Sequence, residues 1–151
     1  MDNFKLGQSL AVTAGRVILG IIFLAHGAQK FFVNGMDATQ AGFEAMGAPV
    51  PSLSAWVAAL AELIGGGMLI IGLLTPVVAA VLIVDMIGAI FIAHIDAGFW
   101  VADGGYELVL ALIAGLLAVG FVRQGPLAVD TYLFKAAAQS AAVKNRAAAD
   151  A

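Results

Sequence analysis

Residues Arg16–Phe32, RVILGIIFLAHGAQKFF, decide how this chain is read. Together with the apolar residues from Ala11 onward they approach the roughly 20 residues that a helix needs to cross a bilayer core. Yet the stretch carries Arg16, His26 and Lys30. Charges at membrane depth are costly and face a protein interior, a partner charge or water rather than lipid. At roughly 100° per residue, Arg16, Gly20, Phe23, Gly27 and Lys30 fall on one stripe of a helix. His26 sits at its edge, one turn before Lys30. Such a stripe asks for negative partners elsewhere in the chain.

The composition agrees with a membrane setting. Of 151 residues, 62% are hydrophobic and 11% charged, and the mean hydropathy is +1.02. Soluble domains are about a quarter charged. The length fits one small domain. A formal net charge of −3 with 7 Lys+Arg points to no nucleic-acid partner. The chain has no cysteine, which excludes disulfide, CxxC, c-type haem and thiolate-held metal chemistry within it. Redox chemistry would therefore come from a bound cofactor, a quinone or a partner subunit. Arg16 interrupts the first apolar run and no small-x-small cleavage site follows, so the first segment reads as a retained helix rather than a signal peptide.

Outward from this stretch, the fold class is an all-α membrane protein, a bundle of four transmembrane helices. Residues 1–10 read as a polar lead, and residues 11–126 as the membrane domain. Its helices are expected at about 11–32, 53–74, 76–94 and 106–122, followed by an Ala-rich cytoplasmic tail at 127–151. Asn34-Gly35 breaks the chain, and Gly35–Ser52 reads as a loop whose Phe43 and Met46 suggest packing on the bundle mouth. A serine at 52–54 is expected to cap the second helix. Gly65, Gly66 and Gly67 form a close-packing surface. Thr75-Pro76 reads as an N-cap followed by a first-turn proline, and Gly125-Pro126 as the end of the fourth helix. Trp56 and Trp100 read as aromatic-belt residues. Arg123, Lys135, Lys144 and Arg146 follow the last helix, whereas the 95–105 loop has no basic residue. The positive-inside rule then places both termini in the cytoplasm.

Depth along the helices, at about 1.5 Å per residue, gathers His26, Lys30, Glu62, Asp85, His94 and Glu107 into one layer from mid-membrane outward. Several have plain alternatives. Lys30 and Arg16 can snorkel to the headgroups, Glu107 can favour the positive N-terminus of the fourth helix, and His94 can sit solvated at the interface. Glu62 and Asp85 are harder to dismiss. A carboxyl at that depth needs a partner, a cavity or a proton, and one that holds a proton there can exchange it. A structural hydrogen bond between helices is the plain alternative for this pair. Haem b ligation by His26 and His94 is disfavoured, since their depths differ. No phosphate loop, Ser-His-Asp arrangement or metal-spaced histidine pair is present, and no metal site is expected.

The motifs resemble a known family. Arg16, His26, Gly27 and Lys30 (Arg-x₉-His-Gly-x₂-Lys) resemble the first helix of the DoxX family of small bacterial membrane proteins. Gly47 and Pro49, then Ala61-Glu62 followed by Gly65–Gly67, resemble its second. Gly72 with Leu73–Pro76, Glu107, and Gly125-Pro126 with Asp130 are also similar, so the resemblance covers most of residues 14–131. It implies a four-helix protein of the bacterial inner membrane, in a family often labelled as oxidoreductases. Relatives are similar to membrane subunits of thiosulfate:quinone oxidoreductase, or are linked to quinone and thiol stress and to redox partner complexes.

The leading expectation is a membrane subunit of a redox system that binds a quinone or similar small molecule in the polar layer. Lys30 and His26 would donate to a carbonyl or anionic oxygen. Glu62 would set their charge and relay protons, and Asp85 and Glu107 would assist. Arg16, Gly27, Gly65 and Gly66 would be structural. The expected partners are the bilayer and another membrane or redox subunit, or a second copy. Two rivals stand beside this: a non-catalytic accessory subunit, and a small oligomeric transporter, for which no inverted repeat speaks.

Overall fold

The computed structural model describes residues 3–149 of the chain, and side chains at 3–133, 135, 136 and 138–142. Lys144 and Arg146, counted above in the charge asymmetry, lie outside the described side chains, and residues 1, 2, 150 and 151 of the lead and tail lie outside the described residues. Among the described residues all regular structure is helical. α1 is Asn3–Ala28, α2 Met36–Ala45, α3 Pro51–Ile71, α4 Thr75–Ala89, α5 Glu107–Gly120 and α6 Val129–Ala149. Three helical runs are long and apolar enough to cross a membrane, Asn3–Val33, Pro51–Ile71 and Thr75–Ala97, and Glu107–Gly120 is a shorter apolar helix.

These four pack as a ring: α1 lies against α3 and α5, and α4 against α3 and α5. Phe23, Leu69, Leu82 and Leu116 fill the centre. Outward-facing Ile18, Ile64, Val77 and Leu117 are exposed. A surface that apolar suits contact with lipid. The α1–α3 seam depends on missing side chains. A Cβ on Gly27 would land on the backbone of Leu63, and one on Gly66 on the backbone of Leu24. The expected glycine surface is therefore real at Gly66. At Gly67 a Cβ would meet nothing, and at Gly65 it would make ordinary contact with Leu82 at 3.4 Å.

Several local expectations need correction. Among the described residues the helix already includes Asn3, so most of the polar lead is helical; Gly7 alone does not break it, and no proline precedes Arg16. The 35–52 loop contains α2, held by Thr39, whose hydroxyl donates to Lys30 O at 3.1 Å and Gly35 O at 2.9 Å. No serine caps α3. Val50 occupies the cap position in the left-handed region (φ 44°), with Pro51 beginning the helix. Ser52 instead donates to Gln40, and Ser54 to Pro49 O.

The α3–α4 turn carries the largest surprise. Thr75 lies inside α4, and its hydroxyl has no protein partner. The cap comes from Asp130, whose carboxylate accepts Leu74 N–H at 2.7 Å and Thr75 N–H at 2.8 Å. Arg16, expected at the headgroups, is 1% exposed. Its guanidinium donates to Leu69 O, to Ile70 O at 2.8 Å and to Leu127 O at 3.3 Å. It thus satisfies carbonyls that the end of α3 leaves open. Gly72 reverses the chain at φ 71°, and a side chain there would strike Arg16 and Ala128. α5 ends at Gly120, before Gly125-Pro126, where Gln124 donates to Val119 O at 2.8 Å.

Candidate functional site

The opposite end of the ring, covered by α2 and the 95–106 loop, encloses the site. Helix register explains how the charges meet. Leu82 packs beside Gly65, so three residues further along each antiparallel helix Glu62 is level with Asp85. Gly27 lies on Leu63, and Lys30 follows one turn beyond. Because side chains on a helix lean toward its N-terminus, Lys30 reaches back along α1. Its ammonium donates to the Glu62 carboxylate, and the two side chains are 19% and 7% exposed. Ion pairing, rather than snorkelling, is the geometry of Lys30.

This pair lines a cavity of about 540 Å³, a size that suits a small organic ligand. Phe23, Ala58, Met86, Val109 and Leu112 form much of its apolar wall, and Ser54 with His26, Lys30, Glu62, Asp85 and His94 its polar positions. Five of the six residues expected in one layer are therefore on one cavity. Glu107 is not on its lining. Its carboxylate accepts Val101 N–H at 3.1 Å and so folds the 95–106 loop at the start of α5. His26 lines the cavity but is otherwise exposed. Phe43 and Met46 of the α2 region also line it, as their apolar character suggests.

Two features escaped the sequence. Helix α1 continues through a π-helical turn at Gln29–Val33 that contains Lys30, and α4 through another at Ile90–His94 that ends at His94. Such turns recur at functional sites, and periodicity alone does not reveal them. The second is that Asp85 Oδ2 is buried with no partner on the protein. Buried polar atoms are nearly always paired, so an orphan on a cavity wall invites a ligand donor. His94 is oriented by Nδ1, 2.7 Å from Gly104 O. A carbonyl only accepts, so Nδ1 carries the hydrogen and Nε2 is the free ring nitrogen. Chemically the cavity offers an ammonium donor, carboxylate acceptors and two imidazoles around an apolar chamber. Among the described residues no group of three or more His, Asp and Glu is close enough to hold a metal ion.

No solved structure matches this chain. A Bacillus subtilis protein named "Putative oxidoreductase CatD" is 37% identical over 133 residues, covering 88% of this chain and 91% of the relative. An uncharacterized membrane protein of Mycobacterium tuberculosis is 31% identical over 135 residues, 81% of this chain and 80% of its own length. An uncharacterized protein of Haemophilus influenzae is 35% identical over 141 residues, 89% of this chain and 99% of the relative. The DoxX family profile matches residues 11–95, the segment that holds Arg16, His26, Lys30, Glu62 and Asp85. On this match, and on identities sustained over most of its length, the chain belongs to the DoxX family.

Proposed function

We infer that this protein is the ligand-binding membrane subunit of a redox system, taking a quinone or similar small molecule into the cavity beside Lys30 and Glu62. The observation that carries this reading is a buried ion pair and an unpartnered carboxylate on one apolar chamber. A buried ion pair is weak evidence for stability, so a binding role is the better account of its cost. Lys30 has further N–H bonds with which to donate to a carbonyl oxygen. Glu62 holds Lys30 in place, and Asp85 and His94 Nε2 accept from a hydroxyl. Glu107 supports the loop that closes the chamber. The oxidoreductase name of the Bacillus relative is consistent with this chemistry. The chain has no cysteine, so its own side chains offer no thiol couple, and a partner protein supplies or accepts the electrons.

The arrangement in the membrane belongs to the same proposal. α1, α3, α4 and α5 each cross the bacterial inner membrane, with both termini in the cytoplasm and the cavity in the outer half. The exposed Arg123 at the α6 end, against a 95–106 loop with no Lys or Arg at the cavity end, supports this orientation. The test is binding of a decyl-substituted benzoquinone to the full chain in nanodiscs. Lys30→Ala and Glu62→Gln should each weaken it by about tenfold, the scale of one lost charge-assisted hydrogen bond. Unchanged affinity in folded variants overturns the site.

A further inference from the structure

The cavity is not closed on the side of α3 and α4. Val57 on α3 and Val84 on α4 both line it, yet are 56% and 69% exposed. A residue that lines a chamber and also faces outward marks an opening. On the same helix Gly88 lines the cavity too, one turn after Val84, and a Cβ there would meet nothing within 4 Å. The opening is therefore a cleft with apolar edges and a missing side chain at its floor.

Its depth decides what it faces. Val84 lies about 14 Å along α4 from Thr75 at the usual rise of ~1.5 Å per residue, well inside the 23-residue apolar run Thr75–Ala97. Acyl chains, not water, lie outside a helix surface at that level. The seam between α1 and α5 differs, because the polar His26 lines the cavity there beside exposed Leu108. An apolar chain is better accommodated between two valines than beside an imidazole that would lose its hydration.

We propose that the ligand is membrane-borne: its head sits among Lys30, Glu62 and Asp85 while an apolar tail leaves through the Val57–Val84 cleft into the bilayer. The inference rests on the binding reading above and adds the ligand class and the route. A water-soluble metabolite has no use for a mouth at this depth. A molecule with a prenyl or alkyl chain has to keep that chain in an apolar phase, and the cleft is the continuous path from chamber to lipid.

Gly88→Leu tests it with little risk to the fold, because it adds a helix former whose Cβ meets nothing within 4 Å. Two probes are compared in nanodiscs: a decyl-substituted benzoquinol and the same benzoquinol without the chain. Gly88→Leu should weaken the tailed probe by about tenfold and leave the tail-less one within about twofold. Gly67→Leu, which adds the same side chain at another open glycine, should change neither. If Gly88→Leu leaves both probes unchanged, or weakens both equally, the lateral route is wrong even though Lys30→Ala and Glu62→Gln still weaken binding. If the wild-type chain binds neither probe, the binding reading fails first and this one with it.

Discussion

Asp130 caps Thr75. The carboxylate at the start of α6 accepts the Thr75 backbone N–H at 2.8 Å from 55 positions later in the chain, and is itself 3% exposed. Its other oxygen accepts Leu74 N–H, and Asp130 N–H returns to Gly72 O at 3.0 Å. A negative charge at a helix N-terminus is also favoured by the helix dipole. Asp130→Ala should therefore destabilise the protein by about 2 kcal/mol, the upper range of a lost cap, and Asp130→Asn by less. Thermal unfolding in detergent measures both, and equal losses for the two variants would mean that the capping geometry is not what matters.

Arg16 closes the same end from the other side. Ile70 O and Leu127 O depend on one guanidinium, which also reaches Leu69 O beside the Gly72 N–H, and a lysine cannot fork to reach them together. Arg16→Met should cost about 3 kcal/mol or more, since it leaves buried acceptors unpaired, and Arg16→Lys should recover only part of this. Gly72→Ala should fail for two reasons at once, φ 71° and collision with Arg16. Equal melting of Arg16→Lys and wild type would remove the argument from fork geometry.

The glycines divide by what surrounds them. Gly27→Ala forces α1 away from Leu63, and Gly66→Ala forces α3 away from Leu24. Each should cost about 1–3 kcal/mol, typical of overpacking. Gly67→Ala meets nothing and should be neutral or slightly stabilising, as an alanine is a better helix former by about 1 kcal/mol. The three melting points, compared in one detergent, decide whether the seam is set at Gly27 and Gly66.

How much of this was legible beforehand follows from which forces act locally. The buried stripe Arg16, Gly20, Phe23 and Gly27 is a matter of helical period, and each of these residues is buried. Depth arithmetic placed Glu62, Asp85 and Lys30 in one layer because rise per residue is constant. The fates of Arg16 and Lys30 were not legible, since snorkelling and pairing differ only in what the neighbouring helix offers. The capping of α4 by Asp130 is a contact between distant segments, and a local reading naturally assigned the cap to Thr75. Helix α2 was hidden because MDATQAGFEA is short and polar, with an apolar face that shows only against the cavity.

The orientation can be tested directly because the chain has no cysteine. Glu44→Cys on α2 and Ser140→Cys on α6 are both exposed sites. With four spans and cytoplasmic termini, a membrane-impermeant maleimide labels Glu44→Cys in intact spheroplasts and Ser140→Cys only after lysis. The reverse pattern inverts the bundle, and labelling of both in intact cells would mean an even number of spans between them.

Asp85 separates stability from binding. Its orphaned Oδ2 is a cost to the folded protein, since a buried acceptor left unpaired costs about 1–3 kcal/mol. Asp85→Leu removes that acceptor and adds apolar volume beside the cavity, so the variant should melt higher than wild type. On the proposed reading it should also bind worse, and in a particular way. A benzoquinol can donate an O–H to Asp85, whereas a benzoquinone has no hydrogen to give. Asp85→Leu should thus weaken the decyl benzoquinol by about tenfold and the decyl benzoquinone by much less. A variant that melts lower, or that loses both ligands alike, would show that Asp85 has a partner within the fold and holds the helices together.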